Sequence, residues 1–202
     1  MLNRNEKRSI KSYDKKADNY EATFDGKFTL SFNEKLFEKV EIPPRGALLD
    51  VACGNGRLLK MLSRKFEFNG FGVDISSEMV ANASRQNPGM IFKNAACNRL
   101  PFTDNFFDVL TVCTALHHFP DTDGFAKEAL RVLKPNGMLY VCEVYYPSPI
   151  RVLLNPFLFL SMAGDVRFYS ENELIQLFQR AGFGEVLTQR KGKAQIIQGR
   201  KS

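Results

Sequence analysis

The 202-residue chain is 44% hydrophobic and 25% charged, enough apolar matter for one core, which argues for a single domain and against a disordered chain. Its formal charge of +6 is compatible with an anionic partner without requiring one. No apolar run reaches the ~20 residues that cross a bilayer, and Met1-Leu2-Asn3-Arg4 runs into charge where a secretory leader would turn apolar. In chain order, the first forty residues are polar and basic, and their periodicity predicts two helices, over 9–22 and 31–40. Tyr13, Ala17 and Tyr20 fall on one face of the first. A turn is expected at 24–28, and Pro43-Pro44-Arg45-Gly46 connects to the next element.

The run Ala47-Leu48-Leu49-Asp50-Val51 is apolar apart from Asp50, as a strand buried on both faces of a parallel sheet would be. Gly54-Asn55-Gly56 turns the chain, and Arg57 opens a helical pattern with Leu58, Leu59 and Leu62. Strand, glycine turn and helix together form a nucleotide-type crevice, because glycines let the backbone approach a ligand and the helix N-terminus offers free N–H groups. The next strand, Gly70-Phe71-Gly72-Val73, ends in Asp74, where an acid can bind a ribose diol. A dinucleotide fingerprint would need glycines at Ala52, Gly54 and Arg57, and only Gly54 is present. An early acid and a late bulky cation suit a ligand with a positive charge and no phosphate, such as S-adenosylmethionine.

LLDVACGNGRLL, FGVDISSEMV, LPFTDNFFDVLTVCTALHHFPD and ALRVLKPNGMLYVCE, in that order, resemble the motifs of class I S-adenosylmethionine-dependent methyltransferases. The closest similarity is to the small-molecule branch containing the ubiquinone and menaquinone methyltransferases. The resemblance covers residues 46–143. It implies an α/β fold: a Rossmann-like, doubly wound, seven-stranded sheet, mostly parallel with an antiparallel last strand, and helices on both faces. The expected organisation is N-terminal helices over the cofactor site (1–45), a cofactor-binding core (46–144), a lid insertion (145–169), and a C-terminal helix with a strand pair (170–202).

The resemblance also implies a cofactor set: Asp50, Ala52, Gly54, Asn55, Gly56, Asp74, Ile75, Met79, Cys97, Asn98, Cys113 and Tyr20. Met79 would pack on the adenine, although core packing explains a methionine there equally well. The family commonly has an aspartate where Ala96 stands, which leaves adenine recognition to backbone near Cys97 and to the Asn98 amide. Tyr13 or Tyr20 would close the site, or simply dock their helix.

Residues 107–113 are the fourth strand, and catalytic groups are expected at its C-terminal end, where His117 and His118, the chain's two histidines, lie side by side. Either could act as a general base near neutral pH, or the pair could shape the pocket and hold the loop. Asp121 and Asp123 suit the start of the helix over 125–133. Residues 134–137 are expected to turn into the fifth strand. There is no Pro-Cys pair for a cysteine adduct, and no carboxylate cluster, so no metal ion is expected. What remains is in-line displacement at the sulfonium methyl.

Residues 150–160 form an apolar, aromatic stretch that suits a lid favouring an apolar or aromatic acceptor, or else a membrane or subunit contact. Tyr13, Tyr145, Arg167 and Tyr169 are the expected substrate contacts. Cys53, Cys97, Cys113 and Cys142 have no metal-type spacing and are expected to be reduced thiols of a cytoplasmic protein. Basic residues Arg190, Lys191, Lys193, Arg200 and Lys201 keep an RNA methyltransferase open as an alternative, with a cofactor-binding protein lacking methyltransferase activity as another. The expected partner is a small-molecule methyl acceptor rather than nucleic acid, and the sequence does not set the oligomeric state.

Overall fold

Apolar runs flanked by turn signals can bury both faces only inside a sheet covered on two sides, and the computed structural model builds that sheet. It describes residues 3–202, so Met1 and Leu2 of the charged opening lie outside the described residues. The strands are β1 (Ala47–Val51), β2 (Asn69–Asp74), β3 (Ile91–Asn94), β4 (Phe107–Cys113), β5 (Leu133–Val144), β6 (Phe183–Lys191) and β7 (Ala194–Lys201). Their order is β3-β2-β1-β4-β5-β7-β6. The first five are parallel, and β7 runs antiparallel to both β5 and β6. Strand order reverses between β1 and β4, so the crevice beyond their C-terminal ends is where an open α/β sheet takes a ligand.

Helices α1 (Arg4–Asp14), α2 (Phe24–Phe37), α3 (Arg57–Leu62), α4 (Ser77–Gln86), α5 (Thr122–Val132), α6 (Ser148–Leu154) and α7 (Glu171–Ala181) cover the sheet, with 3-10 turns at Ala17–Ala22, Leu116–His118 and Asn155–Leu160. On one face Phe125 of α5 and Phe178 of α7 pack over Leu110 and Val141; on the other Leu36 of α2 and Leu59 of α3 pack over Leu48 and Val109. Among the described residues, no helix is long and apolar enough to cross a membrane.

The N-terminal elements differ from the periodicity reading. The first helix starts at Arg4 because Asn3 and Glu6 form a reciprocal cap, the Asn3 side chain accepting from Glu6 N–H at 2.9 Å and the Glu6 carboxylate from Asn3 N–H at 2.7 Å. Residues 24–28, expected as a turn, instead open α2, whose N-cap Thr23 accepts from Gly26 N–H at 3.0 Å. Gly26 serves close approach rather than reversal, since a Cβ there would stand 2.0 Å from the Tyr20 carbonyl oxygen. Residues 134–137, expected as a turn, fall within β5, with Asn136 at φ 64°.

The glycine turn after β1 separates two requirements. Gly54 (φ +52°) has open space where a side chain would begin, whereas at Gly56 (φ +78°) a Cβ would lie 2.5 Å from the Asn87 amide nitrogen. Gly54→Ala should therefore cost only the left-handed strain, about 1–2 kcal/mol, and Gly56→Ala should cost clearly more. Urea unfolding of both variants checks this, and equal losses would contradict the packing at Gly56.

Candidate functional site

Strand β1 delivers Asp50 to the crevice, and the residues after it turn under strain. Ala52 holds φ 57°, a conformation that costs a non-glycine residue about 1–2 kcal/mol and that clusters at functional sites. Asp50 is buried and accepts from the Thr111 hydroxyl of β4 at 2.7 Å. Burial pushes its carboxyl up to about 7, against the pull of that hydrogen bond and with a further push from Asp74. Asp74, at the end of β2, accepts from Gly54 N–H and Ser76 N–H, each at 2.9 Å. Burial raises it as well, and the two backbone donors hold it down. Two buried acids thus flank the glycine turn.

A cavity opens over these acids and is roofed by the N-terminal segments. Ser9 and Tyr13 of α1, Tyr20 of the 3-10 turn and Asn33 of α2 face it. The roof is tied down by polar contacts to the turn: Asn55 donates to Glu21 at 3.1 Å, and Arg57 donates to the Gly26 carbonyl at 2.5 Å with its guanidinium over the Tyr20 ring. Asp14 accepts from the Ser76 hydroxyl at 2.5 Å, fixing the end of α1 to the start of α4.

The other wall is the segment leaving β4. Glu143, buried near the end of β5, accepts from Leu116 N–H and from His117 Nδ1, both at 2.7 Å. Burial alone would lower His117, but the Glu143 carboxylate outweighs it and raises the histidine above its ordinary value. The His117 carbonyl accepts from Val166 N–H at 2.7 Å, which brings the 161–166 segment alongside. His118 Nε2 lies 3.1 Å from the Tyr13 hydroxyl, and its Nδ1 lies 3.0 Å from Asp165 Oδ1. Burial, then the neighbouring His117, lower His118. Burial pushes the Asp165 carboxyl up, but both histidines and the Ser161 hydroxyl outweigh it and bring it down to about 2.

Of the cofactor residues expected from the sequence, Asp50, Ala52, Gly54, Asn55, Asp74, Ile75, Met79, Cys97, Cys113 and Tyr20 line this one cavity. Gly56 and Asn98 do not: Gly56 packs against α4 and β3, and the Asn98 amide turns outward to Asp121, the N-cap of α5, at 2.9 Å. His118 and Tyr13 face the cavity, while His117 is turned behind it into Glu143.

Tyr145, Arg167 and Tyr169 stand elsewhere, with Tyr145 under the Arg190 guanidinium, Arg167 paired with Glu173, and Tyr169 reaching Thr122 at 3.5 Å. Residues 150–160 do not line the cavity either; Val152, Leu153, Phe157, Phe159 and Leu160 point to solvent. Sequence reasoning missed Glu143 and Asp165. Nothing local marked them, although an acid closing an otherwise apolar strand, as Glu143 does after Val141 and Cys142, repeats the signal that singled out Asp74.

The family model of the methyltransferase domain matches residues 49–141, the stretch holding both acids, the glycine turn and the histidine pair. Just under half of the chain thus resembles a methyltransferase domain. It is 38% identical over 117 residues to a 2-methyl-6-phytyl-1,4-hydroquinone methyltransferase of Synechocystis, covering 56% of this chain and 37% of the relative. It is 30% identical over 125 residues to a demethylmenaquinone methyltransferase of Lactobacillus johnsonii, covering 58% and 51%. The chain thus spans roughly half or less of the length of these two relatives. A SAM-dependent methyltransferase structure from Thermotoga maritima superposes with a TM-score of 0.75 at 24% identity, over 96% of this chain and all (100%) of that one, which shows the shared fold.

The Glu143–His117 pair generates a pH prediction. A histidine whose folded value is raised above the ordinary 6.5 contributes stability that is fully present below 6.5 and lost as pH rises through the folded value. Glu143→Gln removes that contribution and sets an amide N–H₂ against donors that the carboxylate now satisfies, a mismatch worth about 1–3 kcal/mol. Denaturant unfolding should therefore show the largest gap between wild type and variant at acid pH, shrinking above neutrality. A gap that widens with pH would contradict the pairing.

Proposed function

We propose that this protein is a cytoplasmic S-adenosylmethionine-dependent methyltransferase acting on a small apolar or aromatic acceptor. The observation that carries this reading is the pair of buried acids, Asp50 and Asp74, on either side of a strained glycine turn in one cavity. Two desolvated carboxylates suit a cationic nucleoside and repel a pyrophosphate. Asp74 would hold the ribose hydroxyls and Asp50 the ammonium end, with Ile75, Met79 and Cys97 along the adenine. The cofactor, when bound, supplies a methyl on sulfonium whose C–S bond breaks as the bond to the acceptor forms, leaving a neutral thioether. The chain's contribution is then alignment: the cavity walls hold the acceptor in line, and His118 with Tyr13 offers polar atoms to an acceptor hydroxyl. The acceptor class is supported by the quinone-type substrates in the names of both relatives.

The RNA reading is not favoured, because two of the C-terminal basic residues serve the fold: Lys191 pairs with Glu38, and Lys201 donates to Asn105 and to the Leu130 and Leu133 carbonyls. A binding protein without turnover is separated by assay.

Calorimetric titration with S-adenosylmethionine, S-adenosylhomocysteine and NAD is the test, followed by a methyl-transfer screen over quinols and other aromatics. The first two ligands should bind and NAD should not; NAD binding alone would sink the proposal. Asp74→Ala should weaken cofactor binding by about 1.5–3 kcal/mol, the worth of a charge-assisted hydrogen bond. Wild-type affinity in the folded variant would remove Asp74 from the site. Since the Asp50 carboxyl sits at about 7, it gains a proton as pH falls below that value and loses its attraction for an ammonium. Affinity should then drop by up to about tenfold per pH unit on the acid side, and Asp50→Asn should flatten the profile. A pH-independent affinity in wild type would refute Asp50's role.

A further inference from the structure

The groups around His117 and His118 leave three potential ligand atoms facing one another. His117 Nδ1 is taken by Glu143 at 2.7 Å, His118 Nε2 faces the Tyr13 hydroxyl at 3.1 Å, and Asp165 Oδ2 accepts from the Ser161 hydroxyl at 2.5 Å. The opposite atom of each side chain, His117 Nε2, His118 Nδ1 and Asp165 Oδ1, is turned inward. Asp165 Oδ1 stands 3.7 Å from His117 Nε2 and 3.0 Å from His118 Nδ1, and the three side chains can each bring one ligand atom within 4.8 Å of the other two. Among the described residues, His118 Nδ1 is nonetheless buried with no hydrogen-bond partner. At 3.0 Å that can hold only if the Asp165 oxygen lies well off the ring's N–H direction. A hydrogen-bond acceptor belongs on that axis; a second ligand of a shared cation belongs to one side of it.

We propose that His117 Nε2, His118 Nδ1 and Asp165 Oδ1 form a three-ligand site for a zinc-sized divalent transition-metal ion. Bonds of about 2.0–2.2 Å in tetrahedral geometry place neighbouring ligands about 3.3–3.5 Å apart, between the two separations observed. Two imidazoles and a carboxylate select such an ion over magnesium or calcium, which prefer all-oxygen shells. Each ligand is already oriented from behind by Glu143, Tyr13 or Ser161, the outer-shell arrangement that fixes histidine tautomers at metal centres.

Asp165 is held in place independently of any ion. Gly164 (φ +83°) lies so close to α1 that a Cβ would stand 2.6 Å from the Ser9 hydroxyl, and that hydroxyl donates to the Ala163 carbonyl at 2.9 Å. Three protein ligands leave a tetrahedral ion one open position, and His118 borders the cofactor cavity. An acceptor hydroxyl or phenolate oxygen can take that position, a use of the ion that rests on the methyl-transfer reading.

The test is metal uptake by the full chain, stripped with a chelator and titrated with Co2+ while its visible d–d absorption is followed, then with Zn2+. Saturation at one equivalent, without a sulfur charge-transfer band and with displacement by Zn2+, is the expected result. Asp165→Asn, nearly isosteric, and His118→Gln should each weaken uptake roughly tenfold or more, with circular dichroism reporting whether each variant is folded. No saturable uptake by wild type would mean that a proton, not a metal, sits between His118 and Asp165, and would overturn the site. A thiolate band, or equal affinity in folded variants, would overturn it too. Uptake is read with neither cofactor nor acceptor present, so its failure leaves the methyltransferase proposal standing and the reverse also holds.

Discussion

Glu143 lies near the end of β5, 2% exposed, and a carboxylate in that position must find donors or raise the energy of the whole fold. It finds them across the crevice, in the Leu116 amide and the His117 ring of the segment leaving β4. That segment begins with Thr114 at φ 49°, a left-handed residue that persists only where its surroundings over-determine it. The two bonds to Glu143 supply that determination. They close the gap between neighbouring strand ends, aim His117 inward, and leave its carbonyl free to receive Val166 N–H. His118 is then the residue that faces the cavity, because its neighbour is already committed.

The opposite wall obeys the same rule with different donors. Asp74 is satisfied by backbone N–H groups of the glycine turn and of the approach to α4, and Asp50 by a hydroxyl one strand away. Both acids stay above their ordinary carboxylate values, because those partners do not fully replace water. What the fold leaves uncompensated is negative charge, and it faces the cavity. The strain in Ala52 and the two desolvated acids thus belong to one arrangement around the glycine turn.

The sheet was legible in the sequence because parallel strands buried on both faces must be continuous apolar runs, and the acids that interrupt or end them stand out against that background. Asp50 and Asp74, which line the cavity, stand out in this way. The N-terminal boundaries were not, because Asp25-Gly26 carries a turn signal in any local reading; only the nearness of the Tyr20 carbonyl, which follows from packing, makes Gly26 a helical residue. Tyr145, Arg167 and Tyr169 were drawn to the site by their segment's place in the chain, and were instead absorbed by Arg190, Glu173 and Thr122. Asp165 was invisible for a related reason. It meets His118 across 47 residues of chain, and its position is set by a glycine contact with α1 that no periodicity announces.

Helix α1 joins the two halves. Its Tyr13 and Ser9 face the cavity, while Tyr13 also meets His118 and Ser9 also holds the Ala163 carbonyl. Arg8, one residue before Ser9, donates to the Phe159 carbonyl at 2.6 Å and so secures the start of the segment that ends in Asp165. The same turn of helix therefore roofs the cavity and positions the carboxylate beside the histidines. Displacing α1 would break the Asp14–Ser76 bond and remove the Ser9 contact that positions the segment before Asp165. One helix therefore sets both the roof of the cavity and the placement of Asp165 beside the histidines.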